Sequence, residues 1–362
     1  MKNVYFIDEG REERFILDNY SHIIWADRYL EAGDFEIKTS PSAELLEVLS
    51  TWAFFVQREG SDRTMLFEYM NIHTDSEKGD YLIIRGRSLE SIFERRVIYE
   101  NKVISGNLHE QLQWLIEDNI GINAGVTRRV NIIEQVYSTD PVVLYYDVET
   151  QYIGKTLYDI VVDICKTYEL GWKLTLNNST GILYLNFYFG VDRSLLQTDN
   201  AYVEFSNELD NLLNSDYVES RENLKNVCYV AGEEGIGNLK EIVLIELTPG
   251  ISGMNRREMY YDSNIRRNTS SGQLTDQEYI NQLTYRGLEE LAKRQEVQAF
   301  DGEVDTTQYN YGDEFDMGDI LQISDKFGNT TRSRVMELIY SFDEAGEKIY
   351  PTFSLTDWVS PI

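Results

Sequence analysis

Residues 25–42 read WADRYLEAGDFEIKTSPS, and the punctuation of this run decides the fold class. Gly33 separates two strand-like pieces, and Ser40-Pro41-Ser42 is a helix-start signal that predicts a short helix over Ala43–Leu49. Working outward, Val4–Ile7 and Arg14–Leu17 read as short strands around the acidic turn Asp8–Glu13. On the other side come three more strands, Ala53–Glu59, Asp62–Thr74 and Gly79–Arg87, split by Gly60-Ser61 and by Asp75–Lys78. The outcome is a small twisted β-unit crossed by one helix, which leaves through SLESIFERRVI to a boundary near residue 100.

Beyond that boundary the period changes. Leu108, Leu112, Leu115, Ile116 and Ile120 recur at helical spacing across Asn107–Ile120, and Leu157, Ile160, Val161 and Ile164 do so across Thr156–Tyr168. With strands over Trp172–Leu176 and Ile182–Phe189, joined by the turn Asn177–Gly181, residues 101–200 read as an α+β domain. Residues 201–270 return to β, with strands over Ala201–Phe205, Leu224–Ala231 and Lys240–Leu247 and a helical turn over Glu208–Asp216. Residues 271–300 hold the longest expected helix, Thr275–Phe300, opened by a capping box of Thr275 and Glu278. Its apolar stripe, Tyr279, Leu283, Leu288, Leu291 and Ala292, is expected to pack on the sheet of a terminal β-unit. Residues 301–362 form a β-meander with three hairpin-turn signals in a row. The fold class is therefore mainly β with α+β content, with a β-unit at each end of the chain. These two end units are expected to share a fold.

Composition narrows the function. The 362 residues carry 33 Lys plus Arg against 62 Asp plus Glu, a formal net charge of -29, which repels phosphate backbones and anionic lipid headgroups. Adhesive nucleic-acid binding and stable membrane association are both disfavoured. A hydrophobic fraction of 42% with 25 Tyr and 15 Phe belongs to a folded chain rather than a disordered acidic one. Cys165 and Cys228 are far apart, and His22, His73 and His109 are scattered, so no disulfide scaffold, redox pair or metal site is expected. The N-terminus is charged within its first dozen residues and lacks a run of signal-peptide or membrane length, which points to synthesis in a cytoplasm.

No motif announces catalysis. Gly235-x-Gly237 is half of a dinucleotide fingerprint, but the third glycine is missing and no strongly helical segment follows, so a hairpin turn is the better reading. There is no Walker A sequence, HExxH, GxSxG or EF-hand loop. Paired carboxylates could run glycoside hydrolysis, yet 62 acids supply such pairs by chance. Aromatic segments such as YLNFYFGVDR and EMYYDS could stack sugars, though strand-period aromatics are more often cross-strand core pairs. Four arginine doublets, Arg95-Arg96, Arg128-Arg129, Arg256-Arg257 and Arg266-Arg267, stand out in the acidic background. They are suited to meeting carboxylates across interfaces, with solvated surface arginines an even alternative.

Several segments taken in order resemble a known family: WADRYLEAGDFEI, YLIIRGRSLESIFERRVI, GVDRSLLQ, VEFSNELDNLLNSDY, YNYGDEFDMGDILQI and PTFSL. Together they look like the tail hub proteins of long-tailed phages of Gram-positive bacteria, the group that includes the N-terminal module of tail-associated lysins and the baseplate hub of contractile tails. The resemblance implies two β-barrel-like tube domains with α+β material between them. It also implies a homotrimer in which three chains present a pseudo-sixfold ring to the tail. Such a hub sits at the tail tip of the virion, closes the distal end of the tail tube, joins the distal tail protein ring, and holds receptor-binding or fibre proteins. Its lumen passes the tape-measure protein, met at its C-terminus, and then DNA, in transit and without adhesion. An acidic lumen suits that task, and Asp313, Glu314, Asp316 and Asp319 are candidate lumen-facing acids. Many relatives continue into a peptidase, muramidase or fibre, and this sequence stops at Ile362, so a non-enzymatic chain with no catalytic, cofactor or metal residues is expected. The alternatives are a cell-wall glycosidase or peptidase acting during host entry, or a saccharide-binding module.

Overall fold

A computed structural model describes residues 1–355 apart from 52–53, 77–78, 131, 236–238, 270–271, 306–307, 328–329 and 345. The N-terminal unit contains β1 (Val4–Ile7), β2 (Glu13–Leu17), β3 (His22–Arg28), β4 (Asp34–Thr39), α1 (Ala43–Thr51), β5 (Phe55–Arg58), β6 (Thr64–His73) and β7 (Tyr81–Ser88). A 3-10 helix over Leu89–Arg95 leads out of it. The α+β unit follows with β8 (Lys102–Asn107), α2 (Leu108–Asn119), β9 (Ile133–Gln135), α3 (Pro141–Tyr145), β10 (Asp147–Tyr152), α4 (Leu157–Tyr168), β11 (Gly171–Leu176) and β12 (Leu183–Tyr188). Next come β13 (Glu204–Ser206), β14 (Leu212–Ser220), β15 (Val227–Glu234), β16 (Lys240–Glu246), β17 (Glu258–Asp262), β18 (Asn268–Thr269), β19 (Gly272–Gln273) and α5 (Asp276–Ala292). The chain closes with β20 (Val297–Val304), β21 (Ile320–Ser324), β22 (Thr330–Asp343) and β23 (Gly346–Leu355).

Among the described residues one 13-stranded sheet joins both ends of the chain, in the order β14-β20-β23-β22-β3-β4-β7-β6-β5-β1-β2, with β21 on β22 and β13 on β21. The seam is β3 against β22, antiparallel from Ile23 opposite Phe342 to Arg28 opposite Glu337. Arg28 rivets it, with Nη1 2.6 Å from Asp34 Oδ2 and Nε 2.8 Å from Glu337 Oε1. On either side of the seam the order repeats. The runs β3-β4-β7-β6-β5 and β14-β20-β23-β22-β21 are antiparallel at every step. Both carry a bulge in the same strand, between Phe67 and Tyr69 in β6 and between Val335 and Glu337 in β22. Where the first run has a short turn between its first two strands, the second inserts β15 to β19 and α5.

Each body has its own core. Phe6, Trp25, Phe35 and Leu82 fill the N-terminal unit, and Phe205, Phe315, Leu321 and Phe353 fill the C-terminal one. Leu112, Ile160, Trp172 and Phe187 fill the α+β unit. Cys228, Val230, Tyr279 and Leu283 pack α5 onto β15.

The sequence-derived elements shift around the long helix and within residues 201–270. The long helix stops at Ala292 rather than Phe300, because the backbone of Val297–Val304 is taken up by pairing with β14 and β23. Its buried face lies on the separate three-stranded sheet of β16-β15-β17, on β10 and on α4, rather than on a terminal sheet. The helical turn expected over Glu208–Asp216 gives way at Leu212 to β14, since that strand edges the C-terminal sheet. The segment 201–270 is consequently divided, with β13 and β14 in the large sheet and β15 to β17 outside it. No helix among the described residues is long and apolar enough to cross a membrane.

Candidate functional site

The four singled-out acids lie between β20 and β21. Asn310–Phe315 closes as a tight loop in which the amides of Asp313 and Glu314 donate to the Asn310 carbonyl at 3.3 and 3.0 Å. Glu314 Oε2 accepts from the Asn310 amide at 2.8 Å in return. Asp313, Glu314 and Asp316 are exposed. Asp319 departs from the expectation, being only 2% exposed. Its Oδ1 accepts from the Val191 amide at 2.7 Å, and its Oδ2 accepts from Arg193 Nε at 2.7 Å and from the Asp316 amide at 3.0 Å. A carboxylate used this way ties residues 191–193 to the C-terminal unit and cannot face a water-filled channel. The acidic face narrows to three residues, and burial together with the nearby Asp319 raises the Asp316 carboxyl above its ordinary pKa.

Next to this loop, a cleft of about 650 Å³ is lined by Asp62, Arg63, Lys173, Tyr188, Tyr311 and Asp316, among others. Arg63, which lines it, belongs to a set of polar fasteners between the units. Arg63 and Glu90, both buried, pair at 2.6 Å, and Glu90 Oε1 also accepts from the Leu174 amide at 2.7 Å. One carboxylate on the 3-10 helix thereby holds both the N-terminal unit and β11. Arg334 of β22, 1% exposed, donates to the carbonyls of Phe189 and Gly318 and lies 3.4 Å from Glu169 Oε2. Tyr29 donates toward the same corner, 2.8 Å from the Glu169 carbonyl and 2.7 Å from that of Phe189. Gly318 has φ +91, and a Cβ there would sit 2.4 Å from the Tyr29 ring, so only glycine lets the chains approach this closely. Asp27 of β3 is buried, with Oδ1 unpartnered, and burial pushes its carboxyl up to about 6 against the pull of Arg63.

Asp27 apart, these groups hold backbone and one another. Among the described residues no cluster of three or more His, Cys, Asp or Glu could hold a metal ion. His109 is buried in α2, and its Nε2 accepts from the Ser138 amide at 3.2 Å. Both cysteines are free and buried, and burial pushes their thiols up, Cys228 to about 11, away from nucleophilic reactivity. Gly235 lies in the β15–β16 hairpin, its amide 2.8 Å from the Leu239 carbonyl, while Gly237 lies outside the described residues. Two of the arginine doublets are occupied within the chain. Arg256 holds Glu246 and Glu258, and Arg267 holds Glu241 and Asp276. The other two doublets, 32 residues apart, meet where Arg96 Nε donates to the Arg128 carbonyl at 2.6 Å. Sequence reasoning missed Asp27, Arg63, Glu90 and Arg334. The available signal was a charged residue at an inward strand position, as with Arg334 between Ser333 and Val335, both buried.

Compared with known proteins, the family described as Siphovirus ReqiPepy6 Gp37-like protein matches residues 3–353. No curated protein matches in sequence. Three solved tail proteins match over nearly their whole length. A tail protein from Neisseria meningitidis MC58 is similar with a TM-score of 0.57 at 13% identity, covering 99% of this chain and 98% of that one. The prophage tail protein gp18 from Listeria monocytogenes EGD-e gives 0.55 at 10% identity, covering 99% and 95%. The 43 kDa tail protein of prophage MuSo2 from Shewanella oneidensis gives 0.53 at 13% identity, covering 97% and 98%. At such identities the likeness is one of fold.

Proposed function

Because the chain belongs to the Siphovirus ReqiPepy6 Gp37-like family of siphovirus tail proteins, we propose that it is the trimeric hub of the tail tip, a structural part of the virion that closes the distal end of the tail tube. In this reading the hub joins the distal tail protein ring, holds receptor-binding or fibre proteins, and carries no catalysis of its own. Its lumen passes the tape-measure protein and then DNA, with Asp313, Glu314 and Asp316 on the lumen side keeping phosphates from adhering. Subunits are made and assembled in the host cytoplasm.

The supporting observation is the repeat within the sheet. In β22 the first part, Thr330–Arg334, pairs with β21, and the part after the bulge, Glu337–Phe342, pairs with β3. In β6 the counterpart first part, Thr64–Leu66, pairs with β5. After its bulge β6 has no strand on that edge among the described residues, and Tyr69, Met70 and Ile72 are 44%, 38% and 44% exposed. The counterpart of β3 is β14, whose outer edge ends the sheet. Repeating the intrachain seam between chains places β14 of one copy on residues 68–73 of the next. Such a head-to-tail contact closes into a ring or runs open, and three copies with two units each would match a sixfold tube. The test is mass in solution at micromolar concentration, with Met70→Glu/Ile72→Glu as the variant. Trimer for the native chain and monomer for the variant are expected, and a native chain that stays monomeric overturns the hub reading.

A further inference from the structure

The doublets Arg95-Arg96 and Arg128-Arg129 form one patch on the α+β unit. Besides the bond from Arg96 to the Arg128 carbonyl, Arg128 Nη2 donates to the Val97 carbonyl at 3.0 Å and to Asn119 Oδ1 at 3.1 Å. Arg129 Nη2 donates to the Ala124 carbonyl at 3.0 Å. The loop that carries the second doublet is set by backbone bonds, Arg128 to Gly125 and Val130 to Ile120, each 2.8 Å. Arg95 and Arg129 are exposed, and Arg96 and Arg128 are half-buried.

Among the described residues none of the four is ion-paired with a carboxylate, and every acceptor named above is a neutral oxygen. That is out of character for a chain with 62 acids and 33 bases. The cations on either side behave differently, with Arg87 holding Glu68 and Glu94 and Lys102 holding Asp118. The guanidiniums also press on one another, since burial and the charges of Arg128 and Arg95 lower the Arg96 pKa. Like charges gathered without a counter-charge carry a cost that a docked anion removes. The rim is apolar. Tyr99 is 65% exposed with Arg128 5.1 Å from its ring, Val97 is 45% exposed and Val126 is 86% exposed. Guanidinium beside exposed aromatic and aliphatic side chains is the composition of a protein-binding surface.

We propose that this patch docks a carboxylate-bearing segment of another protein chain, the four arginines taking its acidic side chains and Tyr99, Val97 and Val126 its apolar ones. A phosphate polymer suits the patch less well. It would run beyond the arginines across a surface whose net charge is -29, whereas a short acidic segment meets only the cations.

The test is fluorescence anisotropy on the full chain with a short labelled peptide in which Glu alternates with Leu, set against duplex DNA of equal formal charge. Peptide binding that falls with added salt is expected. It should be weaker by about tenfold or more in Arg95→Glu/Arg129→Glu and close to native in Arg95→Lys/Arg129→Lys. Arg95→Glu alone, at a side chain that braces nothing among the described residues, should weaken binding by a smaller factor and keeps the test open if the double variant misfolds. Absence of peptide binding, unchanged binding in the Glu variants, or tighter binding of DNA would each overturn the proposal. So would a fall in the mass of the native assembly in Arg95→Glu, since the patch would then belong to a second copy. Peptide binding does not depend on assembly, so it can fail while the trimer stands.

Discussion

Asp27 shows how a single buried charge sets pH dependence. Its carboxyl titrates near 6 in the folded chain and near 3.8 when exposed on unfolding, so the folded state binds the proton more readily. The penalty is full above about pH 6, shrinks as pH falls through that value, and is gone below about pH 4. A shift of about two units corresponds to about 3 kcal/mol as an upper bound, with Arg63 and Arg58 already offsetting part of the burial cost. Asp27→Asn is therefore expected to raise Tm relative to the native chain at pH 8 and to leave it unchanged at pH 4. An equal difference at both values would mean that another group dominates. Steric limits act on the same scale. Gly86 pairs with Phe35 on one side and Phe67 on the other, and a Cβ on it would lie 1.7 Å from the Leu66 carbonyl. Gly86→Ala should cost on the order of 3 kcal/mol and lower the urea midpoint accordingly. An unchanged midpoint would show that the bulge beside it yields.

Among the elements, α5 best separates what a sequence displays from what it hides. Its start was legible, because Thr275 and Glu278 form the reciprocal capping box that their spacing promises. Its packing was not, because Gln282, Arg286, Glu289 and Glu290 are buried along with Tyr279, Leu283 and Leu291, while Leu288 and Ala292 of the expected stripe are half-buried. Arg286 pairs with Glu289 and donates to the Gln151 carbonyl at 2.8 Å, so the helix docks onto β10 through polar groups that a hydrophobic period cannot mark. The same limit hid the inter-unit fasteners at Arg63, Glu90 and Arg334, whose partners lie far away along the chain. The strands of the N-terminal unit were legible, since their turns carry Gly or acidic runs and their residues alternate. Of the four proposed acids, spacing alone could not distinguish the buried Asp319 from its exposed neighbours. At the other side of α5, the Tyr279 hydroxyl accepts from the Glu233 amide at 2.7 Å. Tyr279→Phe is expected to lose about 1 kcal/mol in chemical denaturation, and full stability would mean that this amide finds another acceptor.

For the whole molecule, the net charge of -29 opposes any assembly of identical copies. The Debye length falls from about 30 Å at 0.01 M salt to about 10 Å at 0.1 M, so the fraction of the proposed trimer should rise over that range. Docking at the arginine patch should weaken over the same range, and the two effects are separable in one titration. A trimer fraction that fell with salt would place attractive ion pairs, not strands, at the subunit contact. The seam between β3 and β22 has a consequence for biosynthesis. Ile23 emerges from the ribosome about 300 residues before its partner Phe342, a delay of roughly 15–60 s at ordinary elongation rates. Throughout that delay the edge of β3 that will receive β22 is bare, and it offers a ready template to any other nascent strand. Emergence of β22 therefore ends the period of greatest aggregation hazard, and slowed elongation between the codons of β3 and those of β22 should lower the yield of soluble subunit more than equal slowing before β3.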